Sequence, residues 1–261
     1  MLAEQRRKEI MALLLKNGYV KNGTIQTALG VSGETVRKDL KALESLGVLY
    51  RVHGGAVLPR EHQSSAPYVP FKRRKMQNIS EKEEVARAAV SYIHEGDSIA
   101  LDSGTTALAL AHLIRQQFRS LTVVTNSLAI LQELSCAPGI TVIGTGGVYQ
   151  AAEHAFYSDL AGLIFAHLHL DTCFLTACGV SADRGVTYQR TDEFIVENQM
   201  VRSASKTIVI ADSSKLGCAS MIKGFGIECV SRIITDSKAT PAQIDPFHQL
   251  GIPVAKACFS N

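Results

Sequence analysis

The chain has 261 residues, 46% of them hydrophobic, and a formal net charge of +3. That length holds one large domain, or a small one joined to a larger one. It contains no apolar run of about 18 residues and no uninterrupted hydrophobic segment of signal-peptide type near its start, which argues against a helical membrane protein and for a cytoplasmic one.

The charge is unevenly placed. Residues 1–60 hold 10 Lys and Arg against 5 Asp and Glu, whereas residues 61–261 hold 17 against 19. An amphipathic helix is expected over 4–16, with Ile10, Leu13 and Leu14 inward and Asn17-Gly18 ending it. Tyr19-Val20 is short and extended. A second helix is expected over 24–29, stopped by Gly30.

The segment 31–55, VSGETVRKDLKALESLGVLYRVHGG, follows. Val31, Val36, Leu40, Leu43 and Leu46 fall near helical spacing, with Ser32 as N-cap and Gly47 as C′ residue. Thr35, Arg37, Lys38 and Lys41 are then left on or beside the solvent side. VLYRV and the turn at His53-Gly54-Gly55 read as a β-ribbon with Arg51 and His53 near its tip. A cationic helix preceded by two short helices and followed by a basic ribbon is the pattern of a winged helix-turn-helix, which reads double-stranded DNA. Positive charge is concentrated where such a domain neutralises phosphates. The bland alternative is a charged surface helix, or one docked on a protein partner.

From Pro59 to Ser80 the composition shifts to PREHQSSAPYVPFKRRKMQNIS, with three prolines and no apolar period. This reads as a linker over 59–80 between a domain at 1–58 and another at 81–261. Its KRRK run (72–75) reads as a solvated basic linker, with contact to DNA phosphates as the alternative, and Phe71 as an anchor onto one of the domains.

From Glu81 onward, apolar β-branched runs alternate with helical stretches: SIALD (98–102), LTVVT (121–125), ITVIG (140–144), LDTCFLTA (170–177), KTIVIA (206–211) and SRIITD (231–236). The pattern is that of an α/β domain with a doubly covered, mostly parallel sheet. Ligands of such sheets bind at the carboxyl ends of the strands. Those ends carry Ser103-Gly104-Thr105-Thr106 opening a helix, Asn126-Ser127, Gly146-Gly147, and Lys215 after Asp-Ser-Ser. Orphan amides, a positive dipole end and a mobile cation together suit an anion, and four such turns point to a phosphorylated small molecule. Taken singly, each is equally an ordinary cap, turn or surface lysine.

The six cysteines (136, 173, 178, 218, 229, 258) form no CxxC pair and read as buried, reduced hydrophobes. His167 and His169 lack a third ligand at suitable spacing, so no metal and no cofactor is expected.

These motifs, in this order, resemble the DeoR family of bacterial sugar-metabolism regulators over nearly the whole chain. The likeness is carried by LGVSGETVRKDLKALESLGVLYRVHGGAVLP (29–59), LDSGTT (101–106), VVTNSL (123–128), GTGG (144–147) and ADSSK (211–215). The resemblance implies a cytoplasmic transcription factor, usually a repressor, acting as a homodimer or homotetramer on repeated operator half-sites. It also implies a C-terminal domain that folds like ribose-5-phosphate isomerase and binds a phosphorylated sugar.

Carried over, the DNA contacts are Thr35, Arg37, Lys38, Arg51 and His53, with Ser32, Glu34 and Lys41 beside them. Asp39 reads as a structural cap or ion-pair partner. The effector pocket comprises Asp102, Ser103, Gly104, Thr105, Thr106, Asn126, Ser127, Gly146, Gly147, Glu153, Cys178, Gly179 and Lys215. Two segments depart from the family pattern. Cys178 stands at a strand end that is often acidic. Past Gly147, where arginine and serine are usual, the chain has Gln150, Ala152, Glu153 and Ser158. Glu153 is expected to repel a phosphate and accept hydrogen bonds from sugar hydroxyls, so either this segment faces the sugar end or the effector differs from the family's usual ones. The competing reading is an isomerase-like enzyme with a DNA-binding appendage, using Asp102 or Asp192-Glu193 as base. The loss of a carboxylate at Cys178 argues against it.

Overall fold

The computed structural model describes residues 3–17, 19–45, 49–52, 54–57 and 68–257. The chain divides into two compact units, Met1–Ala66 and Pro67–Asn261.

The first unit contains helices α1 (Ala3–Asn17), α2 (Asn22–Leu29) and α3 (Gly33–Ser45), and strands β1 (Tyr19–Lys21), β2 (Tyr50–Val52) and β3 (Gly55–Val57). The strands form an antiparallel sheet in the order β1-β3-β2. Its core is the apolar stripe of each helix: Ile10 and Leu14, then Ile25, then Val36, Leu40 and Leu43, closed by Val20, Leu49 and Ala56. Gly30 ends α2 with φ 63°, and its N–H donates to the Gln26 carbonyl. A left-handed residue here costs least as glycine. The Thr35 amide donates to Ser32 Oγ at 3.3 Å, the N-cap expected for α3. Leu46, Gly47 and His53 lie outside the described residues.

The second unit is built on seven parallel strands in the order β15-β14-β12-β9-β4-β5-β6. In chain order its elements are α4 (Phe71–Lys75), α5 (Ile79–Val90), β4 (Ser98–Leu101), α6 (Thr105–Gln117), β5 (Leu121–Thr125), α7 (Leu128–Leu134) and β6 (Ile140–Gly144). A small hairpin of β7 (Tyr149–Gln150) and β8 (Ala155–Phe156), then α8 (Asp159–Leu163) and β9 (Leu170–Leu175), follow. The chain continues through β10 (Gly179–Ser181), β11 (Gly185–Tyr188), α9 (Thr191–Ser203), β12 (Ala204–Ile210), β13 (Ile222–Phe225), β14 (Arg232–Thr235), α10 (Pro241–Gln249) and β15 (Val254–Lys256).

Alternation along each strand divides the core in two. Ile99, Leu101, Val123, Phe174, Ile208 and Ile210 pack under α5, α6 and α7. Ala100, Val124, Cys173, Leu175 and Val209 face α8, α9 and α10. Both faces are covered, as the continuous apolar strands require.

Two expectations are corrected. Residues 59–67 lie outside the described residues, and 68–80 are not a linker: they belong to the second unit. Phe71 is buried, its amide donates to the Ala152 carbonyl at 3.1 Å, and its ring lies 5.5 Å from that of His154. A five-residue helix is too short to print a period on the sequence. Second, Cys136 and Cys229 are exposed, and of the described cysteines Cys173 alone is fully buried. The mostly parallel, doubly covered sheet is as expected; beside it stands an antiparallel sheet, β10-β11-β13, and its parallel edge strand β15 is one that the apolar runs do not announce.

Candidate functional site

In the first unit, α3 presents Ser32, Glu34, Arg37, Lys38 and Lys41 to solvent, with Thr35 half-buried. Lys38 pairs with Glu34 at 3.1 Å on the open face, a contact of little energetic weight. Arg51 is tied to Glu44 through its Nε at 2.7 Å and its amide at 3.0 Å, and these bonds hold the Glu44 carboxyl below its ordinary range. Arg37 and Lys41 carry no ion pair among the described residues, so their charge is available to a phosphate or a base edge. Asp39 is buried and receives Arg6 and, at 3.1 Å, Arg7, which locks α3 to α1 as the ion-pair expectation had it.

In the second unit, β4 and β9 are hydrogen-bonded neighbours, pairing Leu101 with Phe174. The helices that follow them lie on opposite faces of the sheet, so the turns at their carboxyl ends diverge. A crevice opens at such a reversal. Asp102, at the end of β4, clasps it. Its carboxylate accepts the Thr176 amide at 2.7 Å, the Thr176 hydroxyl at 2.6 Å and the Gly104 amide at 3.1 Å. Burial raises the Asp102 pKa, and these three bonds oppose the rise. Gly104 is required for its missing side chain: a Cβ there would stand 2.0 Å from Thr176 Oγ1.

The outer hollow of the crevice is lined by Arg74, Asn78, Lys82, Gly104, Thr105, Thr106, Thr176, Ala177, Cys178, Asp212 and Lys215, among others. Helix α6 begins here without a side-chain cap, so its first amides face the hollow unpaired. Lys82 is buried and donates to the carbonyls of Arg74 and Gln77; burial pushes its pKa down to about 8. The Lys215 ammonium makes no hydrogen bond or ion pair among the described residues. Burial lifts the Cys178 thiol to about 11, so it stays neutral. The chemistry of this end suits an anion.

The inner hollow shares Arg74, Gly104, Thr176, Ala177 and Cys178, and adds Asp102, Ser103, Tyr157, Tyr188, Glu193 and Glu197. Ser103 Oγ and the Tyr157 hydroxyl bond to each other. Glu193 and Glu197 stand one turn apart on α9, both buried. Burial, followed by the nearby Glu153 charge, raises Glu193 to about 7. Burial and then the Glu193 charge push Glu197 well up. The cleft is therefore cationic at one end and acidic at the other, with Arg74 at the seam.

Of the expected pocket residues, the structure gathers Asp102, Ser103, Gly104, Thr105, Thr106, Cys178 and Lys215 here. The others do not line either hollow. Asn126 is buried and donates to the Phe156 carbonyl at 3.2 Å, while Ser127 caps α7 by accepting the Ile130 amide at 3.3 Å. Gly146 and Gly147 take positive φ in the turn after β6, with Gly147 packed against Ser158 and Ala161. Gly179 sits in β10 against the Cys218 carbonyl.

Glu153 is corrected as a sugar contact. It is fully buried and accepts the Tyr68 hydroxyl and the Arg74 guanidinium, with Arg190 at 3.9 Å. It orients Arg74 instead. Sequence reasoning missed Arg74, Asn78, Lys82, Tyr157, Thr176, Tyr188, Glu197 and Asp212. One signal was present: Glu197 interrupts the inward stripe of Val196 and Met200, one turn after Glu193. A carboxylate on the apolar face of a helix asks for a reason.

Residues 6–62 match the DeoR-like helix-turn-helix domain, and residues 77–237 match the DeoR C terminal sensor domain. The chain belongs to the DeoR family. It is 32% identical to the HTH-type transcriptional regulator GolR of Listeria innocua, over 96% of this chain and 97% of that one. It is 31% identical to the lactose phosphotransferase system repressor of Streptococcus mutans, over 90% and 93%. Among solved structures, ribose 5-phosphate isomerase A of Methanocaldococcus jannaschii is similar over 53% of this chain and 55% of its own, at 17% identity and a TM-score of 0.41. As a DeoR-family member the chain is a DNA-binding transcriptional regulator, and the named relatives are regulators rather than enzymes. Among the described residues, no helix is long and apolar enough to cross a membrane, and no group of His, Cys, Asp and Glu could hold a metal ion.

Proposed function

We propose that this DeoR-family chain is a cytoplasmic repressor of a carbohydrate-utilisation operon, released from its operator when a phosphorylated sugar occupies the cleft. One observation carries the reading: Arg74, Lys82, Lys215 and the uncapped start of α6 surround a single hollow. Three cations and a helix N-terminus suit a phosphate. The adjoining hydroxyls and carboxyls of Ser103, Tyr157, Tyr188, Glu193 and Glu197 suit a polyhydroxylated body. The names of two relatives, the lactose phosphotransferase system repressor and the glycerol-3-phosphate regulon repressor of Escherichia coli, support a regulated system of carbohydrate or phosphorylated polyol use.

The mechanism is linkage. The effector shifts operator affinity only by its differential affinity for two conformations, typically about 1–3 kcal/mol of coupling. Thr35, Arg37, Lys38, Lys41 and Arg51 serve as the DNA-contacting set, and two or four copies of the chain match repeated half-sites. A thermal-shift screen of the whole chain against sugar phosphates, followed by operator binding with each hit, tests the reading. A ligand at about 100 times its Kd stabilises by about 2.7 kcal/mol. The reading fails if no sugar phosphate both stabilises the chain and weakens operator binding.

A further inference from the structure

The acidic end of the cleft gathers buried carboxyl and hydroxyl oxygens that nothing among the described residues satisfies. Glu193 and Glu197 are 6% and 2% exposed, and Oε2 of each has no hydrogen-bond partner among the described residues. Tyr188, from β11, adds a hydroxyl that is also buried and unpartnered. All three line the inner hollow beside Asp102. The nearby arginines form their ion pairs with other carboxylates, Arg74 with Glu153 and Arg190 with Asp192 and, at 3.9 Å, Glu153, and their charges offset the rise at Glu193 only in part. Neither arginine pairs with Glu193 or Glu197 among the described residues.

Two carboxylates one turn apart repel, and a buried carboxylate without a counter-charge is costly. The hydroxyls of a neutral sugar would fill the empty positions but give the two carboxyls, held toward their neutral form by burial and by each other, no charge to ionise against. An ammonium supplies donors and charge together, and charge-assisted hydrogen bonds are about twice as strong as neutral ones. Resting on the reading of the cleft as a sugar-phosphate site, we propose that the effector is a phosphorylated amino sugar, its phosphate held by Arg74, Lys82 and Lys215 and its ammonium by Glu193 and Glu197. The ligand's two opposite charges then match the two ends of the cleft.

Calorimetric titration of the whole chain tests this with glucosamine 6-phosphate and galactosamine 6-phosphate against glucose 6-phosphate, galactose 6-phosphate and N-acetylglucosamine 6-phosphate. The expected result is that an amino sugar phosphate binds about ten-fold or more tightly than its hydroxyl twin, since desolvated charge pairs couple strongly. The uncharged N-acetyl compound shares the weaker affinity. Glu197→Gln, which keeps the shape, removes the preference; Glu193→Gln serves if that variant loses its cooperative melt. Equal or tighter binding of a neutral hexose phosphate overturns the inference and leaves the sugar-phosphate reading standing. Absence of binding by all five compounds overturns both.

Discussion

Arg74 donates to the fully buried Glu153 carboxylate, 79 residues further along the chain, and at the same time lines both hollows of the cleft. The residues before it lead back in sequence to the junction between the two units. The Tyr68 hydroxyl holds the same carboxylate, and Asn78 Nδ2 reaches Asp212 Oδ1 at 3.1 Å. The segment 68–78 is thus fastened at both ends to the body of the second unit, with the Arg74 guanidinium in between.

Glu153→Gln removes the charge shared by Arg74 and Arg190. Breaking a buried ion pair from one side costs about 3–5 kcal/mol. Chemical denaturation should show the second unit destabilised by an amount of that order, with effector affinity reduced because Arg74 is no longer aimed. An unchanged midpoint would mean that the network carries no structural weight.

Gly104→Ala places a methyl group where Thr176 Oγ1 stands. Thr176 must withdraw, and the clasp formed by Asp102 loosens with it. Overpacking of this kind costs about 1–3 kcal/mol. Melting temperature should fall and sugar-phosphate affinity should drop with it. Retention of both would show that the two turns part easily.

Arg37→Ala and Lys215→Ala should separate output from input. The first is expected to lower operator affinity and, if the contact is to phosphate, to reduce the salt slope by about 1, with effector binding intact. The second is expected to leave operator binding intact and weaken the effector by about 1.5–3 kcal/mol, the range for a hydrogen bond to a charged group. Gel-shift titrations at several salt concentrations, with and without sugar phosphate, read both. Normal induction in the Lys215 variant would remove that lysine from the pocket.

Stability of the ligand-free chain should depend on pH through Glu193. Its folded pKa is raised to about 7 from 4.5, so between these values the unfolded chain has released a proton that the folded one retains. Stability therefore falls as pH rises through this window and levels off above it, by up to about 3 kcal/mol from this group. Glu193→Gln should flatten the profile. Lys82, lowered to about 8 from 10.5, contributes the opposite slope between those two values. Denaturant midpoints measured from pH 5 to pH 8 would show the Glu193 effect, and identical profiles for variant and parent would refute it.

Features with a local cause are legible in the order of residues alone. The Ser32 cap, the Gly30 stop, the stripe of Val36, Leu40 and Leu43, and the β-branched strands all follow from spacing and backbone preference. The turn from Asp102 to Thr106 is legible for the same reason, since a small polar turn opening a helix is a sequence-local device. Arg74 and Lys82 are not legible. They lie in a proline-rich, basic stretch and on an amphipathic helix, where a charged residue normally faces water. Asn126 and Gly147 occupy turns of the right type, yet their groups are spent on Phe156 and on packing against Ser158.

By itself, the sequence determined that a basic three-helix unit with a ribbon precedes a doubly covered parallel sheet whose strands end in small polar turns, because periodicity, capping and charge are written along the chain. The tertiary structure alone decided which turns share a cleft. Strand order sets β4 between β9 and β5, and the helices after β4 and β9 lie on opposite faces, so the cleft opens between those two strands; Thr176, Glu193, Glu197 and the segment around Arg74 line it with Gly104, while Asn126 and Gly147, after β5 and β6, do not. Adjacency between residues far apart in sequence is settled by which strands exchange hydrogen bonds, and no local pattern encodes that pairing.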